Sequence, residues 1–403
     1  MYFASVAEQR LFDERAKEER SVSRAWSREK WIPVLPYAYN LSVGAAAPLD
    51  MLNQGGATPR IKLTSPTIPN WIYHMQISID DARHLVERVM IAHGIKQKQA
   101  AIIAEHIIDC ELRGLGYGGL ARVISIAERL QRSGSPKTDV EIIHETPVSA
   151  RLRGNDNLGY IVAHEATVIA IEKAKASGLS VVGANETWYT GMLSVYAEMA
   201  SSKGLVTMIA SNATPWVAPH GAVEGRFGTN PICFGFPSLD DPIIWDIGTS
   251  SIMHAEAVLA KRNGQLLDPG RAFDDKGQPT RDPGAALAGA FTPWGGHKGS
   301  GLGHVVQLLG ILAGSPTQPP ELADFGFLII AMKPDLMMPE SDYRAQVSAY
   351  ADAVRNARPE NGNQGVRMPF DRSAADRRRC LSEGQVDVPE FVIERLNGLL
   401  APS

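Results

Sequence analysis

The sequence predicts an α/β fold in which helices cover both faces of a sheet and a helical segment precedes it. Three observations lead there. From about residue 151, short apolar runs bounded by Gly and Pro alternate with stretches of helical periodicity. Before that point, three consecutive stretches carry only the 3.6-residue period. The chain has 403 residues, 44% of them apolar, enough to bury the core that such a layered fold needs.

Residues 1–75 stand apart. "RLFDERAKEERSVSRAWSREKW" mixes charges of both signs, and "LSVGAAAPLDMLNQGGATPRIKLTSPTIPN" is rich in Gly, Pro and small residues. The expectation is an extension that is poorly ordered or loosely docked. Six acidic residues before Trp31 argue against a basic targeting peptide. An upstream start codon that lengthens the true protein would give the same texture.

Regular structure is expected from Ser78. In "ISIDDARHLVERVMIAHGI" the apolar positions Ala82, Leu85, Val86, Val89 and Met90 form a helical stripe, capped by Asp80 and closed by Gly94. "KQKQAAIIAEHIIDCELRG" gives a second amphipathic helix ending at Gly114, and a third runs from about Leu120 to Arg132. Next come a helix in "NLGYIVAHEATVIAIEKAKASG", a strand in "LSVVGA", a helix in "GMLSVYAEMASSKG" and strands in "LVTMIAS", "NPICFGFP" and "PIIWDI". Residues 262–298, rich in Gly, Pro and Asp, read as a loop. A helix in "GLGHVVQLLGILAG", a strand in "GFLIIAM" and helices at 342–356, 373–383 and 389–400 complete the chain.

Bulk properties exclude several classes. Forty basic against 44 acidic residues leave a net charge of −4, which disfavours nucleic acid or a membrane surface as partner. No apolar run approaches the length of a membrane helix. Cys110, Cys233 and Cys380 lie far apart, without ligand spacing. No zinc cage or disulfide framework is expected, and a reducing, cytoplasmic setting is. The histidines at 84, 93, 106 and 164 fall on helices without a metal-binding pattern, so no metal is expected.

"CELRGLGYGGLARV" contains GxGxxG at Gly114, Gly116 and Gly119, the spacing of a dinucleotide-binding turn. That turn needs a strand before it. Here the preceding residues have helical periodicity, so the better reading is a joint between two helices, with Gly114 ending the first.

The flanks carry a more specific signal. "ELRGLGYGGLARVISIAERL" resembles "LRGVDSHGVARLxxYxxRL" of the type 2 malate/L-lactate dehydrogenase family. "ASNATPWVAPHGAVEGRFGTNPICFGFP" is similar to its "TNAxPxVAPxGGxExxLGTNPxxFAxP". "WDIGTSSIMHAEA" and "GGHKGSGLGHVVQLLGILAG" follow its remaining motifs in order, so the resemblance covers about residues 78–400.

The resemblance implies a mixed-sheet, non-Rossmann NAD(P)-binding fold, NADH or NADPH as cofactor, a small carboxylate substrate and a homodimer. It implies a cofactor-binding domain at 151–299, and a helical, substrate-side and dimerisation domain from 76–150 plus 300–403. Arg122 matches the family's carboxylate clamp, a task that suits the planar guanidinium fork. Thr229 matches a residue near the substrate. Ser211, Asn212, Ala213, Asp246, Ile247, Gly248, Thr249 and Lys298 match positions near the cofactor. The family's Ser-His pair is replaced by Tyr117 and Gly118, and a second histidine, beside the nicotinamide, by Tyr189. Glycine cannot donate a proton. His254, Glu256, Tyr117 and Tyr189 remain as candidates for acid–base work. The loop "MPFDR" departs from the family's "PGE", and Arg367 and Arg372 there either meet a 2′-phosphate or form a basic surface loop. Three functions are weighed: a reductase of 2-oxo acids or cyclic imino acids with an altered proton donor; conventional malate or lactate oxidation, against which the missing histidine counts; and a homologue that binds nucleotide or partners without turnover.

Overall fold

A computed structural model describes residues 74–363 and 365–400. The expectations for residues 1–73 lie outside the described residues. Strand β1 (His74–Ser78) leads directly into three helices, α1 (Ile79–Ala92), α2 (Gln97–Leu112) and α3 (Leu120–Ser133). The cap of α1 is Ser78, whose hydroxyl accepts from Asp81 N at 3.0 Å, and not the expected Asp80. Strands β2 (Glu141–Thr146) and β3 (Ser149–Leu158) follow, then α4 (Gly159–Ser177), β4 (Leu179–Trp188), α5 (Ser194–Ser201), β5 (Val206–Ser211), β6 (Ile232–Phe236) and β7 (Ile243–Ile247). Next come α6 (His254–Arg262), β8 (Ala272–Phe273), β9 (Pro279–Thr280), α7 (Pro283–Ala288), β10 (Ala290–Phe291), α8 (His297–Leu312) and β11 (Phe325–Met332). The chain ends in α9 (Glu340–Arg355), α10 (Asp371–Glu383), β12 (Gln385–Pro389) and α11 (Glu390–Gly398).

The main sheet has seven strands in the order β2-β3-β4-β11-β5-β6-β7. Only β3 and β4 pair in parallel, joined by the crossover helix α4; every other neighbouring pair is antiparallel. The sheet is therefore mixed. Strand alternation sends Ile209 and Ala210 to opposite faces. Ile209 packs with Val162, Ala166, Tyr196 and Ala197 of α4 and α5. Ala210 packs with Ile232 and Val306, beneath α8. Both faces are covered, as the texture of the sequence predicts.

A second core joins α1, α2 and α3 to α11 and to the β1–β12 ribbon, where His74 pairs with Pro389 and Ser78 with Gln385. It also takes in Leu158, Trp188 and Tyr189 from the ends of β3 and β4. The stretch 262–298, expected to be loop, holds β8, β9, α7 and β10 and its own small core around Phe227 and Phe291. Strands β1, β2, β3 and β12 were not expected from the sequence. Where the helical layer meets the ends of β4, β5 and β7, the chain leaves a cavity.

Candidate active site

The glycine-rich stretch is a joint between two helices. Gly114 adopts φ +73° just beyond α2, the left-handed conformation that ends a helix. Helix α3 starts at Gly119 with no capping side chain of its own. Glu111 supplies one from the preceding helix, its Oε1 accepting Leu120 N at 2.6 Å. A Cβ on residue 119 would overlap that carboxyl, so glycine is required there for close approach. The turn thus carries Tyr117 and Gly118 over the end of the sheet, and Arg122 follows in the first turn of α3.

The cavity beneath has a volume of about 710 Å³, within the size range of small-molecule sites. Twelve of the fourteen predicted site residues line it: Tyr117, Arg122, Tyr189, Ser211, Asn212, Ala213, Thr229, Asp246, Ile247, Gly248, His254 and Glu256. Two do not. Thr249 is fully buried behind the wall, its hydroxyl donating to the Thr229 carbonyl at 3.2 Å. Lys298 sits exposed in the first turn of α8, apart from the lining residues.

Arg122 faces an aromatic wall. Its guanidinium lies 4.3 Å from the centroid of the Tyr189 ring. Among the described residues no carboxylate pairs with it. Tyr189 has φ +54°, costly for a bulky residue, and persists because its neighbours over-determine the loop. Trp188 before it is fully buried under the Arg129 guanidinium, at 4.0 Å, and its indole N–H donates to Asp156 O at 3.0 Å. It therefore does not close the cavity. Beyond Tyr189, Thr190 donates to Ser211 Oγ at 3.0 Å, and Tyr196 donates to Thr190 O at 2.8 Å. Met192 N donates to Nε2 of the buried His106 at 2.9 Å. Gly191, at φ +74°, lies so close to Tyr160 that a Cβ would fall 2.5 Å from the ring.

The titratable groups diverge. Burial, with Arg122 adding to it, pushes His254 down to about 3, so its imidazole is neutral near pH 7. Its ring stacks on Trp216 with centroids 3.9 Å apart, and its Nδ1 is buried without a hydrogen-bond partner among the described residues. Glu256 does not reach that nitrogen. Its carboxylate turns back to the start of α6, where Met253 N donates to it at 3.5 Å. Burial pushes Tyr117 up to about 12 and Asp246 up to about 6. Asp246 accepts from Ser194 N at 2.8 Å and so caps α5 across the sheet. Asn212 is likewise tied to the scaffold: its Oδ1 accepts Gly326 N at 2.6 Å and its Nδ2 donates to Ser315 at 2.7 Å.

Sequence reasoning did not single out Trp216, Thr190 or His106. Their signal lies in tertiary neighbours far along the chain. Arg367 and Arg372 line the cavity with Phe370, which the Arg113 guanidinium covers at 4.4 Å. Arg113 is itself buried and paired with Asp109 and Glu198, each at 2.6 Å.

The sequence profile of the malate/L-lactate dehydrogenase family matches residues 77–397. An L-sulfolactate dehydrogenase of Methanothermobacter thermautotrophicus is 30% identical over 336 residues, covering 81% of this chain and 96% of that protein. A Δ1-pyrroline-2-carboxylate/Δ1-piperideine-2-carboxylate reductase of Pseudomonas syringae pv. tomato is 30% identical over 328 residues, covering 78% and 93%. A solved dehydrogenase structure from Sinorhizobium meliloti superposes with a TM-score of 0.76 at 29% identity, covering 82% of this chain and 99% of its own. With the profile spanning the helical layer, the sheet and the cavity between them, the chain belongs to the malate/L-lactate dehydrogenase family.

Proposed function

We propose that the chain is an NAD(P)H-dependent reductase of a small carboxylate with a C=O or C=N bond beside the acid group: a 2-oxo acid or a cyclic imino acid. The observation that carries this is Arg122. A guanidinium faces into a large cavity, is flattened against an aromatic ring, and meets no protein carboxylate among the described residues. That arrangement leaves its bidentate fork for a substrate carboxylate.

The residues present fit a dinucleotide. The cavity is large enough, the Ser211–Ala213 turn and Asp246–Gly248 form one wall, and Arg367 and Arg372 add positive charge suited to a 2′-phosphate, which favours NADPH. Reduced nicotinamide, when bound, supplies the hydride. Arg122 holds the acid group and orients the reacting carbon. Tyr189 and Trp216 exclude water from it. Tyr117 and His254, both neutral near pH 7, offer hydrogen bonds to the reacting oxygen or nitrogen. Neither is an efficient general acid at that pH, because the phenol holds its proton too tightly and the imidazole binds none beyond its neutral form. A protonated imine brings its own proton. This favours the imino acid branch, in keeping with the name of the Pseudomonas relative.

The test is loss of nicotinamide absorbance with a panel of 2-oxo acids and Δ1-imino acids. Arg122→Leu is expected to lower kcat/KM by about 10²-fold or more, the worth of two charged hydrogen bonds of ~1.5–3 kcal/mol each. No binding of NADH or NADPH would overturn the reading. Binding without turnover would favour the second one, a nucleotide-binding homologue, which the glycine at position 118 supports. We also infer a homodimer. Val305, Leu308 and Leu312 present an apolar stripe on the outer face of α8, with Leu308 65% exposed.

A further inference from the structure

A second cavity, of about 470 Å³, lies behind the glycine turn. Among the residues that line it, Tyr117 alone also lines the site above. Tyr117 therefore contributes to the walls of both chambers. The glycines flanking it are not imposed by packing. Gly116 and Gly118 have no positive φ, and a Cβ would rest 3.7 Å from Glu111 Oε2 at one and 3.4 Å from Cys110 Sγ at the other, ordinary contact distances. Their absent side chains leave Tyr117 with bare backbone on both sides and room to turn.

The second chamber wants a hydrogen-bond donor. Its charged lining comprises Glu111, Glu383 and Asp387 against Arg379 and His74. Arg379 pairs with Glu383 at 3.0 Å, and His74 with Asp387 at 3.0 Å. That leaves Glu111 without a cation. Oε1 is used by Leu120 N, and Oε2 has no donor among the described residues. Burial pushes this carboxyl up to about 7. Asn263 Oδ1, in the same wall, is buried and has no partner among the described residues either. A buried acceptor such as Asn263 Oδ1 is costly unless something bonds it, and the Glu111 carboxyl in the same lining keeps one oxygen without a protein donor among the described residues.

We propose that the two chambers take one substrate, a 2-oxo or 2-imino acid whose far end carries an ammonium or guanidinium group. Arg122 holds the carboxylate in the first chamber. Tyr117 turns aside, and the cation reaches Glu111 and Asn263 in the second. This rests on the reductase reading and names the substrate class for the same site. The reaction remains reduction of the C=O or C=N bond: hydride comes from the nicotinamide, an imine arrives with its proton, and the oxygen formed from a C=O takes one from water.

The test uses the full chain with NADPH and three 2-oxo acids that carry the side chains of arginine, norleucine and glutamate. The guanidinium substrate is expected to exceed the apolar one by about tenfold or more in kcat/KM, as one buried charged hydrogen bond gives. The carboxylate-ended substrate is expected to be the poorest. Glu111→Gln keeps an acceptor for Leu120 N, and Asn263→Leu removes the other open acceptor without touching that cap. Each is expected to bring the guanidinium-to-apolar ratio towards one. Turnover with a ratio near or below one in the unaltered protein, or a ratio unchanged in both variants, overturns the proposal and leaves the reductase reading standing. Failure to bind nicotinamide, or to turn over any of the three and any Δ1-imino acid, overturns the reading itself.

Discussion

Acidification must charge His106 inside the helical core. The ring is 3% exposed, lies edge-on to Tyr160 with centroids 4.6 Å apart, and accepts Met192 N through Nε2. A proton on that nitrogen removes the acceptor and buries a cation. Desolvation, with a smaller contribution from His164, pushes the group down to about 3 from an ordinary 6.5. The folded value lies below the unfolded one. The stabilisation is therefore complete above about pH 6.5 and is lost as pH falls towards 3. At about 1.36 kcal/mol per unit, the loss between pH 8 and pH 5 comes to about 2 kcal/mol. Other shifted groups contribute as well. His254 acts in the same direction, while Glu111 and Asp246, both raised, favour the folded state as pH falls. Wild-type stability alone thus mixes opposing slopes, and a variant isolates one of them. His106→Gln retains an acceptor for Met192 N but cannot titrate. Urea unfolding followed by tryptophan fluorescence, at several pH values between 8 and 5, measures both proteins. The difference in unfolding free energy should move by about 2 kcal/mol in favour of the variant on going to pH 5. A difference that stays constant across that range refutes the assignment of a neutral, buried acceptor.

Three further outcomes are expected. Gly191→Ala forces a left-handed alanine and a Cβ against Tyr160, costing ~2 kcal/mol or more and displacing Tyr189; thermal melting and fluorescence transfer to bound NADPH report the two effects. Arg113→Met leaves Asp109 and Glu198 with only the outer Arg377 for a partner and uncovers Phe370, at a cost of ~3–5 kcal/mol measured as a shift in the urea midpoint. Leu308→Asp on the outer face of α8 should convert a dimer to a monomer in light scattering coupled to gel filtration, with little change in circular dichroism.

Most helices were legible in the sequence because their apolar stripes are continuous, as at Val86, Val89 and Met90, whereas the short α6 and α7 were not. Strands β5, β6, β7 and β11 were legible as apolar runs. Strand β3 was not. Arg151 and Arg153 alternate with Ala150 and Leu152, and Asn155 and Asp156 take positive φ where the register with β4 shifts. Polar residues on a strand one place in from the sheet edge look like loop when read alone. Strand β12 is five residues long and hides in front of α11. Within the site, the motif matches placed twelve residues in the cavity wall. They did not reveal that Asn212 and Asp246 spend hydrogen bonds on the scaffold, or that Glu256 turns away from His254, because those facts depend on partners 50 or more residues distant or on how one helical turn closes. His106 looked like a helix histidine because its partner, Met192, lies 86 positions away.

The β1–β12 ribbon has a practical consequence. Residues 74–78 and 385–389 run side by side, so the beginning of the described fold lies against a strand that only the last helix follows. A circularly permuted gene, with a short linker joining the end of α11 to β1 and new termini in an exposed connection, should still encode this architecture. A stop codon before Gln385 would instead strip β1 of the partner it pairs with and open the helical core at its seam.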